Sequence, residues 1–593
     1  MRRALAIIGG AAGFVLAGWA QTPTITAVQD AASYTSTIAQ GSVFVVKGNN
    51  LSASGFVQFA PASGQALAYP TTLNNVSISV GGTPAYMVYT YNQNGLNQLA
   101  AILPSTVPTG SANLTVTNNG ATSAAFKVNV VTRKFEIISA DSSGGGQVVV
   151  QNVVTATQYD VNRFTTGTLN GFTYSPAHPG QTLIVYGTGM GPISGADNTA
   201  PGAVDLRGQV QVQVIVGGEV INPAYAGRAP SLPGADQINF TLPSDVATGC
   251  TVPFQVSVGG VLSNATTISI APVGATSCPV PGLLSSLFTP AALGRLDQGG
   301  DLVSGSFAVS QFTTLYDPHI PFVNPLQAQI EQVVGAFGKT SGLELAAVLQ
   351  FLNPSAGCQV FHRIGDQNAL LLGPAPTNLD AGAITVTGPN FSNKSLTKAA
   401  DNSYSLALPI VIPANALPSV PPGFTTTPSI TAGTYTLTGT GGADVGSFTA
   451  QVSMSNPLKL SAPIPATINR NNSLQLSWTG GNSTDLVQVI GFSGSTVGGT
   501  KADPVYDAST FVCTTTAGQG GITIPASILQ QMQVTPPDAL TAGTGLGALV
   551  VLSTLLPSAT NGEFTAPLLK ENRNIDLGIF AGTFGTLGTP LYQ

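Results

Sequence analysis

The eleven residues GSVFVVKGNNL, from Gly41 to Leu51, set the reading of everything around them. Val43 to Val46 is a short apolar, β-branched run, and Gly48-Asn49-Asn50 closes it with turn formers, the pattern of a strand entering a sharp bend. An offset of 139 residues brings up GQTLIVYGTGM, from Gly180 to Met190. Two further landmarks follow in the same order. VSISVGG, ending at Gly82, matches VQVIVGG, ending at Gly218, at an offset of 136; QLAAILP, Gln98 to Pro104, matches QINFTLP, Gln237 to Pro243, at 139. Constant order and spacing mark an internal repeat. Each copy reads as strand, glycine turn, strand, Gly-Gly hairpin, strand and Leu-Pro turn. Gly81-Gly82 and Gly217-Gly218 stand where a two-residue hairpin requires positive φ. They specify fold rather than chemistry.

Outward from the repeat, nearly all of the chain has a period of two, with Gly, Asn and Pro clusters between short apolar runs. This predicts an all-β protein of stacked sandwiches. Helical spacing is confined to Pro281–Leu293, Gln327–Val334 and Ile528–Met532. Leu546 to Leu556 is too short to span a bilayer and reads as a buried strand. The expected organisation is a module over 21–131, a second over 132–272, a Pro-rich linker over 273–300, and two sandwiches over 301–460 and 461–593.

The first twenty residues, MRRALAIIGGAAGFVLAGWA, have the form of a secretory signal: Arg2 and Arg3, a short apolar run, then small residues before a cleavage site near Gln21. Charged residues make up only 7% of the 593, with a net charge of −6, against roughly 25% in ordinary soluble domains. No basic patch is available for phosphates, so nucleic acid is not an expected partner. No later segment has the length of a spanning helix, so the mature chain is expected to lack a membrane span. Three His and four Cys leave little material for a metal centre.

Cys250, Cys278, Cys358 and Cys513 are even in number, never in a CxxC pair, and suit an oxidising compartment. Of the three possible pairings, Cys250–Cys278 with Cys358–Cys513 is expected, the first tying the linker back to the second module and the second making the two C-terminal halves one unit; four buried thiols are the alternative.

Little else in the sequence carries chemistry. Gly335-Ala336-Phe337-Gly338-Lys339-Thr340 ends like a phosphate-binding loop but has Val333 where the loop needs its first glycine. No G-x-S-x-G elbow occurs. His178, His319 and His362 are isolated, and Asp141, Asp380 and Asp444 sit beside turn formers, where Asp usually caps its own turn. No catalytic residue, cofactor or metal is therefore expected. Trp478 shares a strand face with Leu474 and Leu476, which predicts core packing. Tyr89 and Tyr91 share a face, with Tyr86 expected on the opposite one; these three form the candidate ligand patch.

Over the first 270 residues the chain resembles tandem immunoglobulin-like modules of the IPT/TIG kind, in particular those of secreted proteins from acidobacterial-type soil bacteria. Carrying the resemblance are Ala31-Ala32-Ser33-Tyr34 through Gly41-Ser42 to Gly48 and Leu51, then Gln237-Ile238-Asn239 and Leu242-Pro243; the first copy departs from it at Gln98-Leu99-Ala100. The C-terminal half resembles the region that follows in those proteins, at Leu379-Asp380-Ala381-Gly382, Gly439–Phe448 and Trp478-Thr479-Gly480-Gly481. The resemblance implies binding or spacer modules. The sequence thus predicts an exported, non-catalytic binding, adhesion or spacer protein, secreted or held at the cell surface, with an extracellular polymer or protein as partner. The alternative is a secreted hydrolase with its site in 301–593.

Overall fold

A computed structural model describes residues 22–140, 142, 144–280, 289–316, 326–341, 357–365, 377–417, 419–454, 457–499, 504–535, 545–555, 558 and 560–593. The expected leader, Asp141 and His319 lie outside these residues. The described chain is all-β, a tandem of immunoglobulin-like sandwiches followed by a larger β region.

In the first sandwich, β1 (Thr24–Asp30), β2 (Thr37–Ala39), β3 (Val43–Asn49), β4 (Gly55–Gln58), β5 (Val76–Val80) and β6 (Thr83–Pro84) lead into β7 (Tyr86–Gln93), β8 (Leu96–Ile102), β9 (Gly110–Asn118), β10 (Ala121–Thr122) and β11 (Phe126–Val131). One sheet has the order β1-β3-β8-β7-β4 and the other β2-β11-β9-β5-β6. Alternation drives the assembly: Val76, Ile78 and Val80 point inward from β5 and meet Phe44, Val46 and Leu99 of the facing sheet. Gly81 and Gly82 have φ of 57° and 85° at the hairpin, and Gly217 and Gly218 have 59° and 93°.

The second sandwich repeats this frame around Leu183, Val185, Val214, Phe240 and Phe254. The repeat also reaches a bond pair that the sequence comparison passed over. Ser123 Oγ accepts from Val116 N at 3.0 Å and donates to Ala124 O at 2.9 Å; Ser263 Oγ does the same with Val256 N and Asn264 O, both at 3.0 Å. Strands Val150–Val153, Tyr159–Asn162, Gly167–Leu169 and Phe172–Ser175 extend one sheet of this copy. Beneath them Asn152 and Asn162 are buried but satisfied: Asn162 donates to Asn152 Oδ1 (3.2 Å) and Ser269 O (2.9 Å) and accepts from Ser269 N (2.8 Å).

The two sandwiches meet through half-buried polar contacts. Val43 N donates to Thr188 Oγ1 at 2.9 Å, and Ser105 donates to Asp197 through N and Oγ, both at 2.7 Å. Behind them Arg228 pairs with Asp236, at 1% and 0% side-chain exposure, and donates to Gly191 O at 2.7 Å. Burial pushes the Asp236 carboxyl upward, opposed by the guanidinium.

The linker expected over 273–300 is tied back through Cys278. Cys278 N donates to Phe164 O, Cys250 N to Pro279 O, and Cys250 is bonded to Cys278. Helix α1 (Pro290–Asp297) follows, capped by Thr289 and begun by a proline. It buries Leu293 and Leu296 against Phe164, Cys250, Cys278 and Leu302. At its end Asp297 accepts from Phe164 N (3.3 Å) and from Thr165 N and Oγ1 (both 2.7 Å). The disulfide and this small core hold the described part of the segment against the second sandwich.

In the remainder, one twelve-stranded sheet takes strands from both proposed sandwiches. Asp301–Tyr316 pairs in parallel with Leu577–Gly588, in register from Ser304↔Leu577 to Thr314↔Leu587. A division at 460/461 is therefore corrected: it would cut one hydrogen-bonded sheet. Cys358 faces and bonds Cys513, the second expected disulfide, which in the chain-entropy model contributes roughly 5 kcal/mol, against about 3 for the shorter loop. Gln327–Val334 is also corrected, from helix to strand. It lies in Leu326–Ser341, paired with Asp301–Tyr316 on one side and Tyr404–Ala407 on the other, so sheet pairing overrides local helical spacing. Gly335–Thr340 belongs to the same strand, with Lys339 paired to Glu571. Ala526–Leu529 is a short helix overlapping the predicted one, and Gly545–Thr554 is an inner strand. Trp478 is core, donating to Ala517 O at 3.0 Å.

Two outcomes follow. Arg228→Ala leaves Asp236 buried without its cation and should cost about 3–5 kcal/mol in urea denaturation; a loss below ~1 kcal/mol would contradict the pairing. Burial drives the Asp297 carboxyl from its usual 3.8 up to about 6. A raised folded-state value for an acid means the native state binds the proton more tightly, so this contribution falls as pH climbs from about 4 through 6. The stability difference between wild type and Asp297→Asn should shift by about 3 kcal/mol across that window and be flat above it.

Candidate functional site

The outer face of the sheet β1-β3-β8-β7-β4 gathers the aromatic residues. Register places Phe56 opposite Tyr91, Tyr91 opposite Gln98, and Gln98 opposite Lys47. Directly opposed residues point to the same side, so these four form a row across four strands, about 14 Å at the usual strand spacing. Tyr34 extends it, its ring centroid 5.1 Å from the Lys47 ammonium. The Phe56 ring is 5.8 Å from that of Tyr89 and 6.0 Å from that of Tyr91. Phe56 is 52% exposed, a large apolar ring with no core to fill.

Tyr86 lies on this face too, which corrects the sequence expectation. Simple alternation puts residues 86 and 89 on opposite sides. A bulge between Met87 and Tyr89 inserts one extra residue, so Tyr86, Tyr89 and Tyr91 face Ile102, Ala100 and Gln98 in turn. Met87 and Thr90 turn inward and are buried.

Hydrogen bonding fixes the middle of the face. Gln98 Nε2 donates to the Tyr89 hydroxyl. Burial raises the Tyr89 phenol above its ordinary value, with the Gln98 bond opposing, and lowers the Lys47 ammonium. Tyr89 thus stays a neutral phenol at physiological pH. The second sandwich bounds the far end: Gly234 lies so close to Val43 and Ile102 that a Cβ there would come within 2.8 and 2.9 Å of them. Tyr69 exchanges two 2.9 Å hydrogen bonds with Asn198 and stands 5.7 Å from the Phe59 ring. The face is charge-poor, with ring faces and the Gln98 amide presented together. Such a surface offers stacking and hydrogen bonding rather than charge.

The other predicted residues have structural places. All four cysteines are in disulfides. His178 Nδ1 lies against Ala271 O and Pro272 O at 3.2 and 3.1 Å. His362 lies in the strand Cys358–Gly365, its backbone opposite Ser509. Asp380 and Asp444 each carry a lysine, Lys398 at 2.7 Å and Lys570 at 2.6 Å, whose hydrogen bonds hold both carboxyls below their usual values. Carboxylates so paired are poor proton donors at neutral pH. Sequence reasoning missed Phe56, Gln98, Lys47 and Tyr34 as members of the face. The available signal was GFVQF at Gly55–Phe59, an apolar stretch with aromatic ends just after a turn.

No protein-family model and no curated protein matches the chain. Among solved structures it is similar to the Bacteroides ovatus mixed-linkage glucan utilization locus protein SGBP-B in complex with a mixed-linkage heptasaccharide (11% identity, 51% of this chain and 70% of that one, TM-score 0.19). Domains 4–9 of the surface layer protein SbsC align at 10% identity over 94% and 83% (TM-score 0.15), and the eight N-terminal Ig domains of the Down syndrome cell adhesion molecule at 8% over 96% and 54% (TM-score 0.11).

If the face is a ligand surface rather than part of the core, truncating its rings should be tolerated. Phe56→Ala is expected within about 0.5 kcal/mol of wild type in chemical denaturation. Met87→Ala, one strand away but inward, should cost about 2–5 kcal/mol. Equal losses would contradict the assignment of faces.

Proposed function

We propose that the chain is an exported, non-catalytic binding protein whose first sandwich holds a neutral, extended polysaccharide on the row Phe56–Tyr91–Gln98–Lys47–Tyr34. The observation that carries this reading is the row itself: exposed and half-buried rings aligned across four strands beside an amide and a single ammonium. Sugar rings present flat C–H faces that stack on aromatic rings, and hydroxyl edges that pair with amides. A charged polymer would need more than one cation along the row. The two disulfides are consistent with work outside the cytoplasm.

Affinity electrophoresis through gels containing neutral polysaccharides tests this. Retardation by at least one is expected, weakened about tenfold or more by Phe56→Ala or Tyr91→Ala. It should change little between 0.05 and 0.5 M salt, because few charges take part. Retardation by none, or by any that both variants leave intact, would refute the reading.

A further inference from the structure

A second concave site lies where three parts of the chain meet. The β1–β2 loop, the second sandwich and the segment around Ala526–Leu529 enclose a cleft of about 440 Å³, within the range of small-molecule sites. Its floor is Glu136, 4% exposed at the side chain, 2.8 Å from the Lys134 ammonium and accepting from Asn264 N at 2.7 Å. Asn264 is itself fixed: its Oδ1 accepts from Ile137 N (2.7 Å) and its amide donates to Ile137 O and Gly144 O (both 2.9 Å). Lys134 also donates to Thr35 Oγ1, from the first sandwich. Across the cleft stand Ser527 and Gln531.

The repeat shows that this floor is not part of the framework. Ile25 faces Gly48 in the first copy as Ile137 faces Gly187 in the second, so Glu136 occupies the place of Thr24. Likewise Asn264, after the shared serine bond pair, occupies the place of Ala124. Both framework positions fold without these side chains in copy one. Their replacements in copy two are the groups that build the cleft.

We infer that this cleft is a second ligand site, for a small neutral polyhydroxylated molecule such as a mono- or disaccharide. The charges lining it among the described residues, Lys134 and Glu136, neutralise one another. The remaining polar wall is amide and hydroxyl, with Val261 and Val360 as apolar surface, and this matches a ligand with hydroxyl edges and no net charge. A ligand there touches three parts of the fold at once.

Isothermal titration of the full chain with a panel of neutral mono- and disaccharides should give saturable binding for at least one. Asn264→Ala, which restores the residue of the first copy, and the rim change Gln531→Ala should each weaken it tenfold or more. Tyr91→Ala should leave it within twofold, which separates this site from the aromatic face. The inference is overturned if no sugar on the panel saturates, or if affinity survives both cleft variants. It is equally overturned if binding is lost with Tyr91→Ala alone, since the ligand then sits on the sheet face.

Discussion

Arg228 and Asp236, shut away from water between the first two sandwiches, show the constraint on which the architecture rests. A buried charge is tolerated only when paired and hydrogen-bonded, and in a chain with 7% charged residues the position of each pair is informative. Most pairs lie within one unit, and the helix α1 carries the acid and the base that reach across a joint. Asp297 ties α1 to Phe164 and Thr165 of the second sandwich. On the other side of the same helix, Arg295 meets Asp576, which also pairs with Arg573 at 2.9 Å, and Arg573 reaches Glu571 at 2.7 Å and through it Lys339. The sandwiches themselves are held by alternating apolar side chains; Asp297 and Arg295 fix α1 against the units on either side of it.

The scarcity of ions shapes the surface. With so few ions on the chain, its polar surface is made largely of Ser, Thr, Asn and Gln, and the open faces present rings, amides and hydroxyls. The aromatic row and the polar cleft are both of this kind. Each is built on a frame that the repeat supplies twice: the row shares Gln98 with Gln237 of the second copy but adds Tyr91 where that copy has Gly227, and the cleft uses Glu136 and Asn264, which the first copy lacks.

Much of the frame was legible in the sequence because its determinants are local. Alternation in VSISV, the Gly-Gly hairpins and the offset of GSVFVVKGNNL to GQTLIVYGTGM announce strands and their order, and the even cysteine count admitted the pairing found. Where the outcome depends on distant partners, local reading fails. Gln327–Val334 has helical spacing but is captured by strands on either side. The parallel pairing of 301–316 with 577–588 leaves no trace in either segment. A bulge at Val88 returns Tyr86 to the side of Tyr89, and a change of one residue in register moves every side chain beyond it. The tyrosines of the candidate site were therefore visible. Their partners Phe56, Gln98 and Lys47, brought in from other strands, were not.

If these polar contacts fix the units against each other, distances across the joints are single-valued. All four native cysteines are in disulfides, so spin labels can be placed at Ser111→Cys in the first sandwich and Thr449→Cys in the C-terminal region, both exposed positions. Pulsed electron resonance on this pair is predicted to give one narrow distance distribution, little changed by high salt because the contacts between units are mostly short-range hydrogen bonds and apolar packing. A broad distribution, or one that widens as salt rises, would contradict the account at its root.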